Sequence, residues 1–220
     1  IHNFEGVYKR LPPGAIWKPP TQMRGSTLVY LLPFIENQNI YAAFDFNQSN
    51  TDGTLLASTG KLIGETAIPT FICPSDSSEL SYYGYARYNY ASSRGPTAVF
   101  SNIDCYCDNP WKNLAQAPLD DPNNFAGPFT RQGTRVNLAQ ITDGLSNTIF
   151  FGEVRPACSE HVRNGWAKTN NGNGYCTTII PINYNSCDDT SSDPCHRSCN
   201  WNTEEGFRSA HTGGAMFSLG

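Results

Sequence analysis

Eight cysteines in 220 residues constrain this chain more than any other feature. In a reducing compartment so many thiols need a metal or a redox task, whereas in an oxidising one they read as crosslinks. Five of them, Cys158, Cys176, Cys187, Cys195 and Cys199, crowd a stretch of Asn, Asp and Ser with few aliphatics. Disulfides are therefore expected, mainly within residues 158–199, with Cys105 and Cys107 also in the crosslinked set. Spacing alone leaves their connectivity open. The competing reading is zinc. Cys105-x-Cys107 and Cys195-His196-x-x-Cys199 offer four thiolates and an imidazole, a soft set suited to tetrahedral coordination. Neither spacing is the usual C-x-x-C, so crosslinks are preferred, and with them an extracellular or cell-surface location.

Composition narrows the function classes. A net charge of −4 advertises no basic surface for a phosphate backbone, so nucleic acid is not an expected partner. Hydrophobic residues at 39% and aromatics at 12% suffice for a core and argue against disorder. Only 15% of residues are charged, and the remaining polarity is Asn, Ser, Thr and Gly, which favours turns and extended structure. The longest apolar run, Leu28 to Ile35, is interrupted by Pro33 and too short to span a bilayer. Because the chain opens on Ile1 rather than Met, an export signal or membrane anchor is expected upstream.

Ile1, Phe4 and Tyr8 share helical spacing, and Leu11-Pro12-Pro13-Gly14 stops that helix. Ser26 is placed to cap a second helix with Leu28, Leu31, Leu32 and Ile35 on one face; Pro33 starts a new turn before Ile40, Tyr41 and Phe44. Ile68 to Cys73 and Tyr82 to Tyr90 read as strands. Asp120 to Asn124 is turn chemistry, and Thr142-Asp143-Gly144 makes a tight turn. Asn147 to Val154 is a strand buried on both faces. Phe207 to Ser209 and Ala215 to Leu219 are closing strands. The expected fold class is α+β: a helical start packed on a mainly antiparallel sheet, loop-rich and disulfide-stabilised. Residues 1–154 form the core. Residues 155–202 are a cysteine-rich insertion of the same domain, held by crosslinks rather than by a core of its own, and residues 203–220 close the core.

Motifs of catalysis are sparse. His2, His161, His196 and His211 are available, but no G-x-S-x-G, P-loop or G-x-G-x-x-G accompanies them. Glu153, Asp143, Glu204 and Glu205 qualify as glycosidase carboxylates by residue type alone. Asp45-x-Asn47-x-Ser49 copies the start of an EF-hand loop, yet Asn50 replaces its glycine and Leu56 its glutamate. Asp188, Asp189 and Asp193 are candidate calcium ligands, with a solvated turn the preferred alternative. Tyr82, Tyr83, Tyr85, Tyr88 and Tyr90 offer a sugar-stacking platform, but strand alternation lets only half of them face one way, and core packing is preferred.

Several blocks together carry a resemblance. They are Ile1-His2-Asn3-Phe4 running to Leu11-Pro12-Pro13-Gly14, Leu31-Leu32-Pro33-Phe34-Ile35-Glu36, and Phe71-Ile72-Cys73-Pro74-Ser75-Asp76. Ile141-Thr142-Asp143-Gly144-Leu145-Ser146-Asn147-Thr148-Ile149 follows, reaching Gly152-Glu153. His211 is then followed by nine residues, Thr212 to Gly220, the spacing of an H-x9-DG ending, and the sequence stops where its Asp-Gly is expected. The chain resembles the DUF1559 family, also labelled solute-binding protein family 10, abundant in planctomycetes and carrying a type IV prepilin-like amino-terminal segment. The cysteine-rich stretch is not a signature of that family.

The resemblance implies a pilin- or pseudopilin-like structural subunit of a filament or surface assembly, without catalysis. It would be joined to the membrane only through an upstream helix and would self-assemble with similar subunits. A solute- or carbohydrate-binding module is the alternative, and a secreted hydrolase the third class. No cofactor is expected, calcium being the one exception. The structural residues implied are Cys73, Pro74, Asp76, Asp143, Gly144, Asn147, Glu153, His211, Gly213 and Gly214. In the family the partner of Cys73 is expected upstream, which would leave it unpaired here. His211 is read as a structural residue holding backbone carbonyls or a neighbouring acid, with Asp143 as the named partner. Metal ligation is its functional alternative.

Overall fold

In the computed structural model, which describes residues 1–18, 22–47, 54–79, 81–97, 105, 107, 111, 126–130, 136–169 and 174–220, the chain starts as its spacing predicts. Helix α1 (His2–Tyr8) buries Phe4 and ends at Lys9, whose φ of 56° closes it before the prolines. Strands β1 (Ala15–Lys18) and β2 (Gln22–Ser26) pair antiparallel. Ser26 then caps α2 (Thr27–Leu31), its hydroxyl accepting from the Leu28 amide and donating to the Trp166 carbonyl at 2.6 Å. Pro33 sits in a 3-10 turn over Leu32–Phe34, and α3 (Gln38–Ala42) follows, burying Ile40.

Two short antiparallel pairs come next, β3 (Leu55–Leu56) with β4 (Lys61–Leu62) and β5 (Ser81–Tyr82) with β6 (Tyr85–Ala86). The main sheet contains β7 (Tyr90–Ser93), β8 (Ile149–Glu153), β9 (Tyr175–Cys176) and β10 (Phe217–Leu219), with helix α4 (Glu160–Arg163) between β8 and β9. Its order is β10-β8-β7-β9; only the β7–β9 pairing is parallel. Helix α2 packs on this sheet, with the Thr27 hydroxyl donating to Ser92 Oγ at 3.0 Å. The fold class is α+β. No helix among the described residues is long and apolar enough to cross a membrane.

The core is aromatic. Phe150 and Phe151, successive on β8, are both buried and both meet the ring of Phe129. Gly152 follows them in the strand, where a Cβ would lie 2.5 Å from Phe207 and 2.6 Å from Phe217. Those two rings cover the glycine edge to face. Trp166 is fully buried against Phe44 and Phe71, and its indole N–H donates to the Thr66 carbonyl. The cysteine-rich stretch thus contributes Val162, Trp166, Ala167 and Cys176 to the common core and one strand to the main sheet, besides its crosslinks.

Three expected strands take other forms. Ile68 to Cys73 contains a 3-10 turn over Pro69–Phe71, since Pro69 has no N–H for a ladder. The backbone beyond it bonds to Asn89 instead: the Asn89 amide donates to the Phe71 carbonyl, and the Cys73 amide to Asn89 Oδ1. Tyr82 to Tyr90 is not one strand but the β5–β6 hairpin, turning at Tyr83 and Gly84 with φ of 49° and 86°, followed by the start of β7. Phe207 to Ser209 is not a strand. There the chain wraps the Arg208 guanidinium, which donates to the carbonyls of Thr203, Glu204, Gly206 and Tyr184. The Asp120–Asn124 turn lies outside the described residues.

Three disulfides form: Cys105–Cys199, Cys107–Cys195 and Cys158–Cys187. Only the last stays within residues 158–199; the other two reach back across 94 and 88 residues. They consume the four thiols that the zinc reading required, while His196 Nδ1 meets the Asn185 carbonyl. Cys73 is unpaired, and so is Cys176, against expectation. Cys176 lies in the sheet interior, where burial pushes its thiol up to about 12.

Candidate functional site

Beyond the 3-10 turn the chain runs through Cys73-Pro74-Ser75-Asp76, and Asp76 anchors this bend. Its amide donates to the Cys73 carbonyl, and its carboxylate accepts from the Ser78 amide and hydroxyl and from Asn89 Nδ2 at 2.6 Å. Burial opposes the ionised form, but these bonds and the charge of Arg155 outweigh it and hold the carboxyl below its ordinary value. Arg87 donates to the Asp76 and Ser78 carbonyls, and Asn89 Nδ2 also reaches the Val154 carbonyl. The Cys73 backbone is therefore fixed on both sides.

Glu153 ends β8 opposite Tyr90 of β7 and is 2% exposed. Its Oε2 accepts from the Met216 amide at 2.8 Å, and its backbone carbonyl accepts from the Arg208 amide. Its Oε1 faces His211 Nε2 at 3.2 Å. That same nitrogen is 3.6 Å from Cys73 Sγ and 3.5 Å from Ser75 Oγ. His211 sits on the turn into β10, where Gly213 adopts a φ of 91°, and its side chain is 40% exposed. Burial pushes the Tyr90 phenol up, with Cys73 and Glu153 adding to the shift. A nucleophile–base–acid relay uses both ring nitrogens of its histidine. Here the carboxylate, the thiol and the serine all approach Nε2.

Beside this cluster lies an open apolar groove of about 370 Å³ between α2 and β10, lined by Ile1, Leu31, Ile35, Phe71, Met216 and Phe217, with Tyr90 shared between groove and cluster.

A second histidine–carboxylate cluster is closed. His161 on α4 meets Glu204 through Nδ1, and its backbone amide donates to the other oxygen of the same carboxylate. Glu205 pairs with Arg94. Burial works against the imidazolium of His161, but the adjoining Glu204 carboxylate outweighs it and raises the pKa. Burial raises that of Glu205 despite Arg94. His161 Nε2 is buried without a hydrogen-bond partner.

The structure thus brings together Cys73, Glu153 and His211, with Pro74 and Asp76 in the supporting bend and Gly213 and Gly214 in the following turn. Asp143 is not the partner of His211; Glu153 is. Asp143, Gly144 and Asn147 form a separate turn, in which Asn147 Nδ2 donates to the Asp143 carbonyl and Gly144 has a φ of 91°. The tyrosines share no platform: Tyr82 and Tyr83 are exposed on the hairpin, Tyr85 and Tyr90 are half-buried, and Tyr88 is core.

The three candidate calcium ligands are each engaged by groups of the protein itself. Asp188 accepts from Thr190, Asp189 from Ser198 and Arg163, and Asp193 caps the Cys195 amide. Asp45 accepts from the Asn47 amide, while Ser49 and Asn50 lie outside the described residues. Glu204 and Glu205 are engaged with His161 and Arg94, far in sequence, and no local spacing announces either pairing.

The whole chain, residues 1–220, matches the family model described as "Protein of unknown function (DUF1559)", and the chain belongs to that family. No curated protein and no solved structure matches it.

Proposed function

We propose that this DUF1559 protein is a pilin-like, non-catalytic subunit of an extracellular filament or surface assembly, self-associating with similar subunits. The observation that carries this reading is the open apolar groove between α2 and β10. Its rim residue Met216 is 66% exposed, and an apolar surface of this kind is stabilised when a partner covers it. In an assembly the cover is an apolar helix of the subunit or of its neighbour. The three disulfides support an oxidising, extracellular setting. Electron microscopy of the native assembly tests the reading: helical filaments with an apolar spine are expected, and Met216→Glu should weaken assembly without lowering the Tm of the isolated protein.

A second reading, a binding module for an apolar or amphipathic small solute, is favoured by the same groove, whose volume suits a small molecule. A monomer holding ligand in the groove would select it over the filament.

A further inference from the structure

We propose that Cys73, Glu153 and His211 form a binding site for a soft divalent cation, with zinc as the preferred ion. Three donors of different type converge on one point: Cys73 Sγ, His211 Nε2 and a Glu153 carboxylate oxygen lie within 4.8 Å of one another. Tetrahedral zinc, with bonds of about 2.3 Å to sulfur and about 2.0 Å to nitrogen and oxygen, sets sulfur about 3.6 Å from nitrogen and nitrogen about 3.3 Å from oxygen. The separations here are 3.6 Å and 3.2 Å.

Charge points the same way. Glu153 is buried, and among the described residues its ion-pair partner is the half-exposed imidazole of His211, with no arginine or lysine on the carboxylate. A carboxylate removed from water needs compensation, and a bound cation supplies it. The donors are also held in place from behind. The Met216 amide occupies Oε2 of Glu153 and leaves Oε1 directed at the histidine; Asn89 fixes the Cys73 backbone. Such outer contacts orient metal ligands.

Thiolate and imidazole favour zinc over calcium or magnesium. Binding deprotonates the Cys73 thiol, and that proton leaves to solvent. The exposed side of His211 leaves the fourth position to water, with Ser75 Oγ at its rim. The ion would tie together the Cys73 bend, the end of β8 and the turn before β10, three segments remote in sequence.

The test uses the 220-residue protein, freed of metal with a chelator and titrated with Zn²⁺ by calorimetry, with elemental analysis of the product. One equivalent should bind and raise the Tm. His211→Ala, at a half-exposed position, should abolish stoichiometric binding, while Asp189→Asn should leave it intact. Co²⁺ in place of Zn²⁺ should show thiolate-to-cobalt charge-transfer absorption in the unmutated protein, lost in Cys73→Ser. Absence of stoichiometric binding, binding that survives His211→Ala, or a cobalt spectrum without thiolate absorption would each overturn the proposal.

Discussion

His161 and His211 each face a glutamate, yet they belong to opposite kinds of site. Around His161 the protein supplies every charge itself. Glu204, Glu205, Arg94 and Arg208 are all buried with it, and Trp201 packs on the imidazole edge to face. Around His211 one acid is buried and the histidine reaches solvent. The first arrangement balances within the fold and closes. The second sets a buried carboxylate against a half-exposed imidazole and stays open to solution on one side. Residue type does not separate the two; the arginines and the covering rings do.

That contrast can be broken most forcefully at Arg94. Arg94→Met strips Glu205 of its partner and should cost about 3–5 kcal/mol in a denaturant titration, the penalty of orphaning one buried charge. A loss below about 1 kcal/mol would show that Glu205 is already neutral in the folded protein. Next, removing Cys158–Cys187 by paired serine substitution should cost about 2–4 kcal/mol. The crosslink sits at the base of α4, so the His161 ring resonance should shift while that of His211 stays in place.

The closed site also has a pH signature. The folded pKa of His161 is raised above its ordinary 6.5, so its contribution is fully present below that value and is lost as pH rises through the folded pKa. Thermal melts should show stability falling on the alkaline side by at most about 1.4 kcal/mol per pH unit for this one proton, and His161→Gln should flatten the slope. Asp76 works in the opposite sense. Its lowered pKa contributes above the ordinary 3.8 and is lost as pH falls through the folded value, so Asp76→Asn should remove part of the acid transition. The smallest effect belongs to the open site. Without metal, His211→Gln should change stability by about 0–1 kcal/mol, because the half-exposed imidazole is screened by water and Glu153 keeps its bond from the Met216 amide. A larger loss by denaturant titration would mean that the site is closed after all.

Much of the fold was legible wherever its cause is local. Ser26 sits two residues before the first apolar residue of a helical face, and Thr142-Asp143-Gly144 leads into β8, so cap, turn and strand could all be read in place. Ile68 to Cys73 misled because β-branched residues hid the effect of Pro69, and because the groups that pair with its backbone belong to Asn89. Phe207 to Ser209 misled because its backbone follows a buried arginine rather than a neighbouring strand. The site was half legible. Cys73, Glu153 and His211 were singled out as residues of separate motifs, but their meeting depends on long-range sheet order, and the nearer-looking Asp-Gly turn drew the histidine's partner to the wrong acid. The buried cluster of His161, Glu204, Glu205 and Arg94 left no periodic trace, since ion pairs across 43 and 111 residues carry no spacing rule.

The two long crosslinks give the molecule a mechanical character of its own. Cys107–Cys195 lies nested inside Cys105–Cys199, like two rungs of one ladder. Tension applied between the two ends of the chain would pass from Cys105 to Cys199 through sulfur and bypass the 94-residue separation, β8 and β9 included. Fully drawn out, those residues would add about 320 Å of slack; the covalent shunt withholds all of it. A molecule built this way lengthens only through its first hundred or so residues and its last twenty, and the loop that carries β8 and β9 is never drawn out, even when their partner strands β7 and β10 are pulled away.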